Sequence, residues 1–235
     1  MLKIENVAVN GWDAAIRGMR NPMNSWAKSD SCECNENIVN RYDCPLANYN
    51  DEPACECHNG TVGYCIGKND MALMQKLFKG GTEHRKFMRF ITVTMDVTAP
   101  LYWWKEFDTY KIGTVSNSCS TMHKIHAKEL TMNDFSHDQL TFGNSMVLEQ
   151  KIIPILNLAR DNFLETKDKM WWWQMIQLLP SSYNQKRTVF MNYETCANIY
   201  KQRKNHNLDE WRMLCNKILM LPYFAEIIGG AKDEV

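Results

Sequence analysis

Apolar positions along this chain alternate like a strand near its start and again near its middle. Through most of its second half they recur at helical spacing. Leu2 to Val9 reads as a strand and Gly11 to Met19 as a short helix. Arg20 to Ser25, with Asn21-Pro22, is a turn. Asn69 is placed to cap a helix running through Phe78 and closed by Gly80-Gly81. Thr82 to Val97 reads as one long strand. Leu101 to Phe107 follows as a helical turn, and Lys111 to Lys124 as loop and strand ending near His126. From Asn144 to Leu164, Met146, Val147, Ile152, Ile153, Leu156, Leu158 and Phe163 fall on a helical period, which Pro154 either bends or restarts. Lys169 to Leu179 is a further helix carrying Trp171, Trp172 and Trp173, stopped by Pro180. Thr188 to Met191 is extended, and Asn192 to Arg203 and Leu208 to Leu221 close the chain as helices. The pattern predicts an α+β fold, with an antiparallel sheet flanked by helices in one domain over 1–235.

One stretch breaks the pattern. Residues 28–65 carry almost no apolar period and hold six of the nine cysteines: Cys32, Cys34, Cys44, Cys55, Cys57 and Cys65. A segment without a core of its own is often held by zinc on thiolate and imidazole ligands, and His58 follows Cys57 directly. The Cys-x-Cys spacing differs from the Cys-x-x-Cys of a zinc knuckle. It leaves open an iron–sulfur cluster, a reduced loop, or a cover over a neighbouring subunit.

Charge narrows the partners. The 27 basic and 27 acidic residues balance to a formal net of zero, which argues against a surface for duplex nucleic acid. No apolar run approaches the length of a membrane span. The start, MLKIENVAVNGWD, lacks the apolar core of a signal peptide. These features predict a soluble, cytoplasmic protein whose cysteines are thiols or metal ligands.

Between Ala99 and Met122 the chain runs APLYWWKEFDTYKIGTVSNSCSTM, turning from apolar to rich in hydroxyls and amides. In this frame it resembles the flavin-dependent thymidylate synthases. That family carries strand, Ala-Pro, an aromatic helical turn, Gln, Arg-His-Arg and then Ser-x-Asn-Glu-x-Ser-x-Arg-Tyr. Here Glu106 stands at the Gln and Thr109-Tyr110-Lys111 at the Arg-His-Arg. Thr114, Ser116 and Asn117 fall on the Ser-x-Asn-Glu stretch, and Cys119 and Thr121 on the later Ser and Arg. Upstream, His84 falls on a family His. Downstream, after Leu179-Pro180, both Asn residues and the final Arg of Asn-x-Arg-x-x-x-Asn-x-x-x-x-Arg are kept as Asn192, Asn198 and Arg203. Glu194 replaces the middle Arg. The family Arg before Leu-Pro falls on Ile176, and His206, Glu210 and Arg212 echo the closing motif.

The resemblance implies a homotetramer that binds FAD and methylates dUMP with methylenetetrahydrofolate, NADPH reducing the flavin. It implies a cofactor site at His84, Tyr110, Lys111, Asn117, Asn192 and Asn198. It implies a pyrimidine deoxynucleotide site at Ser118, Cys119, Ser120, Thr121 and Arg203, with Lys111, Arg203 and Glu106 as candidates for catalysis. Phosphate and an enolate-like oxygen call for planar, bidentate donors, most of which are replaced. An altered substrate, a catalytically inactive nucleotide- or flavin-binding relative, and a purely structural oligomer therefore all stand as readings. Cys119 could attack a pyrimidine ring but has no evident base. Trp103, Trp104 and the Trp171–Trp173 run read as packing. His123 and His126 read as extended and pointing to opposite sides.

Overall fold

A computed structural model describes residues 2–33 and 64–229. The chain divides into two compact units. Unit 1 comprises Met1–Val7 and Met95–Val189, and unit 2 comprises Ala8–Thr94 and Phe190–Val235. Four strands form one sheet in the order β1 (Lys3–Asn10), β4 (Thr92–Pro100), β6 (Asn184–Asn192), β5 (Thr114–Ser118). Leu101 N donates to Tyr183 O at one end of the β4–β6 pair and Tyr193 N donates to Ile91 O at the other, the signature of an antiparallel ladder. Val93, Met95, Val97 and Ala99 are buried while Thr92, Thr94, Asp96 and Thr98 alternate outward.

In unit 1, α3 (Leu101–Phe107) follows β4 directly, and α4 (Thr121–Lys124) follows β5. Beyond them lie α5 (Phe142–Val147), α6 (Ile153–Thr166) and α7 (Lys169–Leu178). Pro154 lies in the first turn of α6 but does not start a separate helix: Ile152 before it is already helical, and the missing Pro154 N–H falls just after a widened turn, as at other proline-interrupted helices. A wide π turn, Leu148–Ile152, joins α5 to α6. Leu148 and Ile153 are buried in the same cluster as Ile125, Phe135, Leu156 and Met175. Trp103 and Trp104 are fully buried, and Trp171 and Trp172 pack on the cluster edge; Trp173 does not pack there as expected but is exposed, with the Lys169 ammonium 5.9 Å from its ring centre.

Unit 2 holds α1 (Trp12–Arg20), α2 (Lys68–Lys79), α8 (Tyr193–Arg203), α9 (Asp209–Leu219) and α10 (Phe224–Ile227). Its centre is aromatic: Trp12 meets Tyr193 and Tyr223 edge-on at 5.4 and 5.6 Å, and Tyr193 meets Phe224 at 5.3 Å. Gly11, at φ 94°, enters α1 where any Cβ would lie 2.0 Å from the Phe90 carbonyl oxygen. Two short strands, β2 (Cys32–Glu33) and β3 (Tyr64–Cys65), pair antiparallel with Cys32 opposite Cys65.

Three sequence expectations are corrected. Thr82 to Val97 is not one strand: Arg85–Arg89 is a 3₁₀ turn, in which the adjacent Phe87 and Met88 are both buried. Asn69 is not the cap of α2. The helix starts at Lys68, and the distant Asp30 carboxylate accepts from Asn69 N and Asp70 N at 2.8 and 3.0 Å. His123 lies in α4, a helical turn capped by the Ser120 hydroxyl, rather than in an extended run. Even so, His123 is exposed while the His126 ring packs on Phe163 at 5.0 Å. No described helix is long and apolar enough to cross a membrane.

Candidate functional site

In unit 1 the chain between α3 and β5 folds around an open cleft of about 230 Å³ lined by Phe107, Asp108, Tyr110, Lys111, Thr114 and Ser116. Phe107 is buried and gives the cleft an apolar floor, stacked on Trp103 at 5.1 Å. Lys111 is exposed at its mouth. One rim is fixed by Arg187 of β6. Its Nη1 donates to Asp108 Oδ1 at 2.7 Å, its Nε donates to Gln185 Oε1 at 2.9 Å, and its guanidinium lies 4.2 Å from the Trp104 ring centre. Gln185 is buried and in turn donates to the Cys119 carbonyl and the Thr121 hydroxyl at 3.1 and 3.0 Å. A planar cation held by three partners is a stiff support. Such a cleft offers an aromatic face, one ammonium and two hydroxyls, a donor set suited to a small anionic ring-bearing ligand.

Of the predicted unit 1 residues, Tyr110 and Lys111 line this cleft. Asn117, Ser118 and Cys119 are exposed beyond it, on or just after β5. Ser120 caps α4, and the Thr121 hydroxyl is engaged by Gln185. Glu106 is half-buried in α3, its carbonyl accepting from the Thr109 hydroxyl at 2.7 Å. Asp108 and Gln185 were not visible as site residues. Arg187 contacts Asp108 across 79 positions of sequence, a pairing that no local motif announces.

On the same unit, Asp96 forms a polar hub. It accepts from Thr188 Oγ1 at 2.7 Å and Asn6 Nδ2 at 2.9 Å, and Lys186 Nζ lies 3.2 Å away. These hydrogen bonds and the ammonium charge hold its carboxyl down at about 2.

Unit 2 carries His84, Asn192, Asn198 and Arg203. His84 is exposed just before the 3₁₀ turn. The Asn192 side chain caps α8, accepting from Thr195 N at 2.9 Å. Asn198 is half-buried on α8. The Arg203 guanidinium lies 4.7 Å from the Trp211 ring centre, held by cation–π contact. Glu194 is gripped by Arg89, at 2.5 and 3.2 Å, with Arg85 Nε at 3.9 Å. The Glu83 carboxylate also acts on Arg89, and the buried Arg85 Nε makes no hydrogen bond. This orphaned donor fits an anionic oxygen.

Of the predicted metal ligands, Cys34, Cys44, Cys55 and Cys57 lie outside the described residues. Among the described residues no three His, Cys, Asp or Glu side chains gather as a metal group. Burial pushes the Cys215 thiol up to about 11 and the Cys196 thiol higher still, so neither serves as a nucleophile.

Two solved structures are similar to the chain along nearly its whole length. One is thymidylate synthase X (ThyX) from Helicobacter pylori with FAD and dUMP, at TM-score 0.62 and 14% identity over 97% of each chain. The other is the flavin-dependent thymidylate synthase ThyX of the same organism complexed with FAD and dUMP, at TM-score 0.62 and 14% identity over 96% of this chain and 97% of that one. The fold is the ThyX fold. No family model matches the sequence, and no curated protein matches it.

Proposed function

We propose that this protein is a ThyX-like nucleotide-binding protein, homotetrameric, that takes a pyrimidine deoxynucleotide and FAD, with the methylation of dUMP as its parent reaction and an altered substrate. The observation that carries the reading is the full-length likeness to two ThyX structures that hold FAD and dUMP. The cleft beside it matters because it forms in the segment where the resemblance puts ligands. Within it, Tyr110 offers a ring for a base and Lys111 an ammonium for a phosphate or a ring oxygen, flanked by the Thr114 and Ser116 hydroxyls. In unit 2, Arg85 and Asn198 would hold FAD, and Arg203 an anionic group of the nucleotide. When bound, FAD supplies redox capacity; this chain's residues bind, orient and neutralise charge. NADPH and methylenetetrahydrofolate follow only if the parent reaction survives.

A second reading, a binding protein without turnover, is favoured by one observation. Thr109, Tyr110 and Lys111 supply one ammonium where the resembled family has two guanidiniums. An ammonium is a point charge and cannot make the bidentate contact. Purified protein should show a flavin absorbance spectrum, and dUMP should raise its melting temperature. Light scattering should give a tetramer mass. A dTMP-formation assay with folate and NADPH separates the readings: turnover supports the enzyme, and nucleotide binding without turnover supports the second reading. A colourless monomer that responds to neither ligand would sink both.

A further inference from the structure

We propose that the unit 1 cleft selects a pyrimidine bearing an exocyclic amine, a cytosine nucleotide, over a uracil nucleotide. This rests on the reading of the cleft as the base site and gives the altered substrate a chemical class. The two bases share one ring and the carbonyl oxygen beside its sugar-bearing nitrogen. They differ at the far edge, where cytosine carries an amino group with N–H donors and uracil a carbonyl acceptor. Side chains that can only accept therefore favour the amine.

Two of the cleft's side chains are acceptors. Asp108 lines it, and an ionised carboxylate accepts but does not donate. Arg187 Nη1 donates to Asp108 Oδ1 at 2.7 Å, and among the described residues Oδ2 takes no hydrogen-bond partner. Thr114 also lines the cleft, and its hydroxyl donates its one proton to the Tyr110 carbonyl. Its lone pairs are left to accept from a ligand. An amino group brings two N–H donors to these two acceptors. A carbonyl in the same place would set its lone pairs against a carboxylate and a hydroxyl oxygen with no proton to share. Asp108 is also anchored. Arg187 is 13% exposed, donates to Gln185 Oε1 at 2.9 Å and lies over the Trp104 ring. Swinging the carboxylate out of the cleft would strip this largely buried cation of its counter-charge. Lys111 and Ser116 keep their donors. They suit the oxygen that both bases carry and the phosphate, so they add affinity without choosing. The preference falls on Asp108 and Thr114.

The test is calorimetric titration of the full-length chain with dCMP and with dUMP. The wild type should bind dCMP at least ~10-fold more tightly than dUMP, because a site built to accept from a ligand N–H rejects the analogue that lacks it. Asp108→Asn keeps the size but supplies an amide that can turn its N–H groups toward a carbonyl. In that variant dUMP should gain and the preference should shrink to within about 2-fold. Asp108 is 53% exposed, and Arg187 keeps Gln185 and Trp104 as partners, so the variant should fold; circular dichroism checks that it does. Thr114→Val should weaken dCMP and not dUMP, whereas Lys111→Ala should weaken both by the same factor. Equal binding of the two nucleotides, or tighter binding of dUMP, overturns the inference and leaves the nucleotide-binding reading standing. A dCMP preference undiminished in Asp108→Asn overturns it as well. If neither nucleotide binds, the reading of the cleft as a base site falls, and the inference with it.

Discussion

Asp70→Ala should be among the most destabilising single substitutions in unit 2. It removes the carboxylate that satisfies Arg20, Ser29, Asp30 and Ser31 together. Arg20 is left 4% exposed with its counter-charge gone, and two backbone N–H groups lose their acceptor. Breaking a buried ion pair by removing one partner costs about 3–5 kcal/mol. For a chain of this size each kcal/mol moves the midpoint by roughly 2–4 °C, so the unfolding temperature should fall by about 6–20 °C. Asp70→Asn, which keeps the size and part of the hydrogen bonding, should fall in between. The pH dependence has a definite sign. Burial raises the Asp70 carboxyl pKa, but the hydrogen bonds from Ser31, Ser29 and Arg20 outweigh it and leave the group below its ordinary value. Its stabilisation is therefore present above the unfolded pKa of about 3.9 and is lost as pH falls through the lower folded value. Scanning calorimetry at neutral pH is the assay. A drop smaller than about 2 °C for Asp70→Ala would refute the buried Asp70 carboxylate as the organiser of Arg20 and Ser29–Ser31.

Further outcomes follow from other sites. Arg203→Ala should weaken nucleotide or flavin binding by about 1.5–3 kcal/mol in calorimetric titration, with Arg203→Lys recovering only part; equal affinity in all three would remove Arg203 from the site. Glu194→Ala should cost about 1–3 kcal/mol, because Glu194 and Arg85 are mostly buried while Arg89 is half exposed, and should make sulfate raise the melting temperature more than in the wild type by freeing two guanidiniums. The Asp96 carboxyl, held at about 2 by its partners, should contribute stability that is lost between roughly pH 4 and 2; NMR titration should show the low midpoint, and Asp96→Asn should flatten the acid limb. Trp104→Phe should cost about 1–3 kcal/mol by leaving the buried Gln185 carbonyl without its indole donor, measured by denaturant unfolding.

Sequence reasoning succeeded where one local force dominates. Strand alternation from Thr92 to Ala99, the stop at Pro180 and the irregularity before Pro154 all follow from short-range rules. It failed where a distant partner decides. The Arg85–Arg89 turn looks extended until the joint burial of Phe87 and Met88 is seen. The cap of α2 comes from Asp30, about forty residues away, so Asn69 was a reasonable local choice with the wrong owner. In the same way Tyr110 and Lys111 were legible as cleft residues, whereas Arg187 and Gln185 enter only through the sheet.

The π turn between α5 and α6 sets a constraint on insertions and deletions. Leu148 and Ile153 are five positions apart, which on an ordinary helix would place them about 140° away from each other. The widened turn brings both into one cluster. Deleting any one of the exposed Glu149, Gln150 or Lys151 would shorten that separation to four and let a regular helix satisfy both anchors. Adding a residue instead would leave no regular spacing that does. The reading frame of this helix is thus tolerant in one direction and closed in the other, an asymmetry that substitution scanning would never reveal.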